Sequence, residues 1–156
     1  MASFGAKVRD LRQGRGMTQG ELAATLNLAS HSHISHLEQD VRYPSLTLVH
    51  QVACVFGVTT EYLLRDALEL EAVQRWEQPD TDTAMHRFGM KVRALRKQHH
   101  LTQRELATQL GLKTHTHISE LEKRVKDPSR DLVLAIADVF NCSTDVLIRD
   151  GVPIPD

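Results

Sequence analysis

An internal repeat constrains this chain more than any other feature of its sequence. Residues 4–66 align with residues 88–150 at a constant offset of 84 positions and without a gap, and 32 of the 63 aligned pairs are identical. A repeat of this length is too long for a solenoid unit, and two copies are too few for an array. It fits two complete small domains, because about 60 residues can just fold alone. We therefore expect one kind of domain, and one kind of site, to occur twice.

The composition is that of a small helical protein. Hydrophobic residues make up 41% of the 156 residues and charged residues 25%, whereas aromatic residues reach only 4%. The cores must therefore be built from aliphatic side chains, which favours helical bundles. Two cysteines form no disulfide framework, and we see neither a signal segment nor an apolar run of about 18 residues. These absences predict a cytoplasmic protein without a membrane partner.

The two repeats differ in charge. The net charge of the chain is −1, but residues 4–66 carry six Lys/Arg and six Asp/Glu, whereas residues 88–150 carry eleven and eight. A near-neutral total does not exclude a polyanionic partner, since basic side chains gathered on one face still attract it. The uneven charge therefore indicates how strongly, and how equally, the two repeats could bind such a partner.

Helix-start chemistry followed by apolar residues at helical spacing recurs along each repeat. Thr18 and Glu21 have the spacing of a capping box, and Thr102 and Glu105 repeat it. The other predicted helices begin near Phe4, Ser30, Ser45 and Thr59 in the first copy, and near Phe88, Thr114, Ser129 and Ser143 in the second. The prediction is an all-α chain with five short helices in each copy.

The repeat also predicts the domain boundaries. The expected segments are a first domain at 1–66, a helical extension and linker at 67–83, a second domain at 84–150 and a tail at 151–156. The apolar residues of the extension, Leu68, Val73 and Trp76, are at helical spacing and need a surface to cover them. Packing onto their own domain and an interface with the other unit or a second chain are both open.

Two motifs in each copy carry a resemblance to a known family. Thr-Gln-x-Glu-Leu-Ala occupies residues 18–23, and Ile-Ser-x-Leu-Glu follows at 34–38 before a proline that opens the next helix. The second copy has the same motifs at 102–107 and 118–122. This pattern resembles the Cro and phage-repressor (C1) type of helix-turn-helix DNA-binding domain. The resemblance implies two tandem lambda repressor-like domains, each placing its third helix in a DNA major groove.

The resemblance also implies which residues contact DNA. Side chains at the start and on the outer face of the third helix reach bases, and those before and after it meet phosphates. The candidates of the first copy are Gln19, Ser30, His31, Ser32, His33, Ser35, His36, Gln39 and Arg42. Those of the second are Gln103, Thr114, His115, Thr116, His117, Ser119, Glu120, Lys123, Arg124 and Lys126. In both copies the turn is one residue longer than usual in the family, so the register at the helix start stays open.

An arginine of the first helix pairs, in this family, with the glutamate that ends the third helix. The resemblance therefore implies two structural ion pairs, Arg12 with Glu38 and Arg96 with Glu122. Direct phosphate contact by the arginines is the alternative. Two His-x-His groups offer too few ligands for a metal site, and we expect no metal and no cofactor. No catalytic constellation or phosphate-binding glycine loop occurs, so an enzyme is not expected.

Together these features predict a sequence-specific, double-stranded DNA-binding transcriptional regulator of bacterial or phage type, a repressor associated with the nucleoid. The outer positions of the third helix differ between the copies, which predicts two non-identical half-sites. The alternative is a protein-interaction adaptor or antitoxin in which only the second copy binds DNA. A homodimer through the 67–76 helix is also open, and no small-molecule effector is indicated.

Overall fold

Ten α-helices are found in the part of the chain that the computed structural model describes, which is residues 2–41, 43–67, 85, 87–125 and 127–155. The chain divides into two units, Met1–Asp80 and Thr81–Asp156. Each unit has five helices, and no strand occurs within those described ranges. The predicted all-α class with two five-helix domains is confirmed.

The helices follow the same order in both units. The first unit contains α1 (Phe4–Gly14), α2 (Gln19–Thr25), α3 (His31–Glu38), α4 (Leu46–Phe56) and α5 (Thr60–Leu64). The second contains α6 (Phe88–Gln98), α7 (Gln103–Gln109), α8 (Thr116–Glu122), α9 (Arg130–Val139) and α10 (Thr144–Ile148).

Both predicted capping boxes are present. The Thr18 hydroxyl accepts from the Glu21 amide at 3.1 Å, and the Glu21 carboxylate accepts from the Thr18 amide at 2.7 Å. The corresponding distances between Thr102 and Glu105 are 3.2 and 2.7 Å. Because each partner satisfies a backbone donor of the other, the box fixes the residue at which α2 and α7 begin.

The core of each unit is aliphatic, as the composition predicts. Val8 of α1, Leu22 of α2 and Ile34 of α3 are completely buried where the first three helices meet. The second unit buries the same three positions, Val92, Leu106 and Ile118. This shared packing holds α3 and α8 by their inner sides and leaves their outer sides exposed.

A glycine lets the first helix of each unit approach the end of the third. A Cβ atom at Gly5 would lie 2.2 Å from the carbonyl oxygen of Leu37, and one at Gly89 would lie 2.2 Å from that of Leu121. No side chain fits into that distance. The glycines therefore set how closely α1 packs on α3, and α6 on α8.

The predicted helical extension lies almost wholly outside the described residues. α5 ends at Leu64, Arg65 is extended and the chain turns at residues 66 and 67. The interface candidates Leu68, Val73 and Trp76 lie outside the described residues, as do the phosphate candidates Arg42 and Lys126. Among the helices that the structure does describe, none has the length and the hydrophobicity to cross a membrane.

Candidate nucleic-acid interface

Helix α3 has a buried inner side and a polar outer side. Ile34 and Leu37 are buried on the inner side, where α3 packs against α1 and α2. The outer side presents the exposed candidates His31, Ser32, His33, His36 and Gln39, together with the half-buried Ser35. The packing of the inner side thus brings the predicted base-reading residues of the first unit together on one surface.

Helix α8 presents the corresponding surface of the second unit. Ile118 and Leu121 are buried on its inner side. His115, Thr116, Lys123 and Arg124 are exposed, and His117, Ser119 and Glu120 are half-buried. The two outer surfaces have the same layout but differ in charge.

The lengthened turn before the third helix has a similar closure in both units. Asn27 and Gly111 adopt positive φ angles of 53° and 67°. The next amide, of Leu28 or Leu112, donates back to a carbonyl oxygen of the preceding helix at 2.8 Å. The turn therefore closes the second helix in a way that satisfies its last carbonyl groups.

The third helix starts differently in the two units. Ser30 caps α3, because its hydroxyl accepts from the Ser32 amide at 3.1 Å. The prediction that Thr114 starts the corresponding helix is corrected: α8 begins at Thr116, with His115 as a cap residue that makes no side-chain cap hydrogen bond. His115 is already helical, with φ −72° and ψ −11°, and its carbonyl oxygen accepts from the Ser119 amide. The first hydrogen bond of α8 thus ends on the carbonyl oxygen of His115. Thr114 is an exposed residue of the preceding loop.

The Arg12–Glu38 ion pair implied by the resemblance is found in the structure. Arg12 donates to the two carboxylate oxygens of Glu38 at 2.6 and 3.0 Å, and to the Met17 carbonyl oxygen at 2.7 Å. Gln19 donates to the same carboxylate at 2.9 Å. This cluster joins α1, the start of α2 and the last residue of α3.

The second unit repeats this cluster. Arg96 donates to Glu122 at 2.6 and 3.2 Å and to the Leu101 carbonyl oxygen at 2.8 Å. Gln103 donates to Glu122 at 2.9 Å. The two glutamines, which were expected to face phosphate, therefore also have an internal partner that the sequence pattern did not reveal.

The cluster keeps its carboxylate ionised. Burial raises the pKa of Glu38, but the hydrogen bonds from Arg12 and Gln19 outweigh it and hold the pKa below its ordinary value of 4.5. The hydrogen bond to Glu38 in turn raises the pKa of Arg12. Both side chains thus carry full charge near neutral pH and fix the orientation of α3.

Sequence comparison decides the family of this arrangement. The sequence pattern of the helix-turn-helix family matches residues 8–63 and 92–147, which together exceed half of the chain. The chain belongs to the helix-turn-helix family, of the Cro/C1 type. Each match includes one complete helix-turn-helix motif, α2 with α3 or α7 with α8.

A curated helix-turn-helix protein is similar to part of the chain. Over 62 residues, or 40% of this chain, the sequence is 34% identical to the HTH-type transcriptional regulator ImmR of Bacillus subtilis (strain 168). The matched stretch covers 48% of ImmR, so the similarity extends over about half the length of that relative. No solved structure matches the chain.

The helix-turn-helix surfaces differ most where the third helix ends. Gln39 and Asp40 of the first unit are replaced by Lys123 and Arg124 in the second. Asp40 accepts from the Gly5 amide at 3.0 Å and from the Ser3 hydroxyl, so that it caps the start of α1. The first unit therefore uses for its own fold a position at which the second exposes an arginine.

In each helix-turn-helix unit, a buried lysine of the first helix donates hydrogen bonds to carbonyl groups in and after the fifth helix. Lys7 is 1% exposed, and its ammonium donates to the carbonyl oxygens of Tyr62 and Arg65 at 2.6 Å each. Lys91 donates to the carbonyl oxygens of Val146, Arg149 and Val152. Neither lysine was among the residues that the sequence pattern singled out, although an identical lysine beside the apolar stripe of each copy was a signal.

A groove flanks the outer side of α3 in the first helix-turn-helix unit. It has a volume of about 350 Å³ and lies between α3 and the start of α4, with His33, His36 and Tyr43 in its lining. Tyr43 is 80% exposed. In the portion of the chain that the structure describes, no three His, Cys, Asp or Glu side chains are grouped so that they could hold a metal ion.

Proposed function

We propose that this chain is a sequence-specific, double-stranded DNA-binding transcriptional regulator, a repressor that associates with the nucleoid. In this proposal α3 and α8 each read one half-site. One observation carries the proposal: each unit holds a helix by its buried inner side and by an Arg–Glu–Gln cluster, with its polar side outward. The major groove of B-DNA admits one helix of this kind. Membership of the helix-turn-helix family supports the same function.

The two half-sites are expected to differ. Helix α3 offers His36 and Gln39 at positions where α8 offers Glu120 and Lys123. A glutamate accepts a hydrogen bond from the amino group of cytosine, whereas glutamine suits adenine and lysine suits guanine. A covalent tandem of such readers binds the second half-site at a high effective concentration.

Selection from a pool of random duplexes with the full chain, followed by footprinting, tests this function. We expect two related but non-identical half-sites, about one helical turn or a multiple of it apart. Failure to enrich any sequence would refute sequence-specific binding. A reporter gene placed behind the selected site should fall in expression when the chain is present, and a rise would refute repression.

The second candidate function is an adaptor or antitoxin in which only the second unit binds DNA. The neutral first repeat favours it, since residues 4–66 carry six cationic and six anionic side chains. Ser35 and Ser119 are half-buried at the same position of α3 and α8, so Ser35→Glu and Ser119→Glu are matched variants. If both units bind DNA, both variants should lose affinity for the selected duplex. If only the second unit binds DNA, Ser119→Glu alone should lose affinity.

Dimerisation of the whole chain through residues 67–76 is a separate proposal. The apolar spacing of Leu68, Val73 and Trp76 supports it, because such a stripe is stable only when covered. Light scattering should give the mass of two chains for the parent and of one chain for Trp76→Ala. A single-chain mass for the parent would refute the dimer.

A further inference from the structure

Arg9 of α1 and Arg93 of α6 occupy the same position in the two repeats, and both are exposed. Many of the other identical pairs have an internal role, as core residues, helix caps or members of the Arg–Glu clusters. Neither Arg9 nor Arg93 makes a hydrogen bond or ion pair within the part of the chain that the structure describes. No hydrogen bond or ion pair within the described residues of either unit therefore explains their identity in both copies.

Arg9 is also distinctive among the cations of the first unit. Four of the described Lys and Arg side chains of residues 4–66 donate to groups of their own unit, namely Lys7, Arg12, Arg15 and Arg65. Arg42 lies outside the described residues. Of the cationic side chains that are described there, Arg9 is the exposed one without a hydrogen bond or ion pair to the described residues. Among the described side chains of residues 4–66, the guanidinium that a phosphate would find without an internal partner is that of Arg9.

Helix geometry places Arg9 beside the end of α3. Residues spaced by three or four positions share one face of a helix, so Gly5, Arg9 and Arg12 form one stripe on α1. Gly5 approaches the Leu37 carbonyl oxygen, and Arg12 binds Glu38, so the contacts on either side of Arg9 reach the last turn of α3. The second unit repeats this stripe on α6 with Gly89, Arg93 and Arg96.

Electrostatics agrees with this placement. Burial raises the pKa of Glu38 and of Glu122, and the neighbouring Arg12 or Arg96 with its glutamine lowers it. The charge of Arg9 lowers the pKa of Glu38 further, and that of Arg93 does the same for Glu122. Each guanidinium is thus within electrostatic reach of the residue that ends the third helix.

In a complex of the proposed kind, the end of the third helix and the residues after it meet the DNA backbone. We propose that Arg9 and Arg93 each bind a DNA phosphate beside this helix end, which makes α1 and α6 backbone-contacting helices. A guanidinium suits this role because its planar donors match two phosphate oxygens at once. The inference rests on the proposed DNA-binding function and adds to it a residue pair outside the helix-turn-helix motif.

The salt dependence of binding by the full chain tests the proposal. The variants are Arg9→Gln, Arg93→Gln and the double variant, and the probe is a random-sequence duplex titrated between about 50 and 200 mM salt. Log K falls with log salt, and each lost phosphate contact should make this slope less steep by about 0.9. The double variant should make it less steep by about 1.8. Affinity should fall to a similar extent on every sequence. Arg9→Lys should keep most of the slope, since it keeps the charge.

Arg87→Gln is the matched control. Arg87 is exposed at the start of α6, six positions before Arg93 and therefore not on the face that Arg93 occupies, and its loss removes the same charge from the second unit. It should leave the slope nearly unchanged. An equal fall in slope for Arg87→Gln would show that only total charge matters, and would overturn the proposal.

Two further results separate this inference from the proposed function. If the parent binds DNA while Arg9→Gln and Arg93→Gln keep its slope, the phosphate contacts are refuted and the DNA-binding function stands. A lowered melting temperature with an unchanged slope would assign the arginines to the stability of the α3 and α8 ends instead. If the parent binds neither random nor selected duplexes, the proposed function itself fails.

Discussion

Arg12 and Glu38 are joined by two hydrogen bonds, of 2.6 and 3.0 Å, that connect α1 to the last residue of α3. Their side chains are only 11% and 4% exposed. Arg96 and Glu122 form the same pair in the second unit, at 12% and 5% exposure. Because water scarcely reaches either pair, breaking one leaves an uncompensated charge, which costs more than the intact pair contributes.

Glu38→Ala should therefore lower the free energy of unfolding of the first unit by about 3 kcal/mol, through the stranded guanidinium of Arg12. Thermal melting followed by circular dichroism measures this loss. Glu120→Ala is the control, because Glu120 is half-buried and has no hydrogen-bonded side-chain partner in the described part of the chain. It should change the free energy by less than about 0.5 kcal/mol. An unchanged melting temperature for Glu38→Ala would contradict the role given to the pair.

The same pairs predict a pH dependence. The folded pKa of Glu38 and Glu122 lies below the ordinary value of 4.5, so the unfolded chain binds more protons than the folded chain in that range. The stability from the pairs is thus complete above about pH 4.5 and is lost as the pH falls through the folded pKa. Melting temperatures measured from pH 7 to pH 3 should fall less steeply for the Glu38→Gln/Glu122→Gln double variant. Parallel curves for the parent and the variant would argue against this account.

Close packing of α1 on α3 predicts an effect of glycine substitution. Gly5→Ala places a Cβ atom 2.2 Å from the Leu37 carbonyl oxygen, so the helices must separate. The loss of stability should be about 1–3 kcal/mol, as in other overpacked contacts. Gly14→Ala is the control, since nothing lies within 4 Å of its added Cβ and alanine is the better helix former. Chemical denaturation compares the two variants, and equal stabilities would show that α1 can shift without cost.

Local patterns and family motifs predicted much of the fold, whereas long-range contacts outside those motifs were not predicted. The capping boxes and the Arg–Glu pairs could be read from motifs, because spacing and family pattern determine them. Asp40 is different: it caps α1 from 35 positions away, and its residue type alone indicates no partner. The start of α8 was also misplaced, because His115 takes up helical geometry without a side-chain cap.

The outer surfaces of α3 and α8 remain the part whose chemistry depends on a partner. Their layout follows from the packing of Ile34 and Ile118, which any helical reading of the repeat would bury. Which base each exposed side chain contacts depends on how deeply the helix enters the groove. The fold does not determine that depth. The sequence therefore predicts which kinds of side chain could contact bases, but not which base each of them contacts.

The base preference of the second unit provides the sharpest prediction of the DNA-reading model. Glu120 can only accept hydrogen bonds when ionised, and cytosine presents a donor in the major groove. Glu120→Gln should therefore shift the preference at one base pair of the second half-site from cytosine towards adenine, by about 1–3 kcal/mol or roughly 5–150-fold in relative affinity. Competition binding with duplexes that differ at single positions measures the shift. His36→Gln, the same position in α3, should alter only the first half-site, and a Glu120→Gln profile identical to the parent's would remove Glu120 from the base-reading surface.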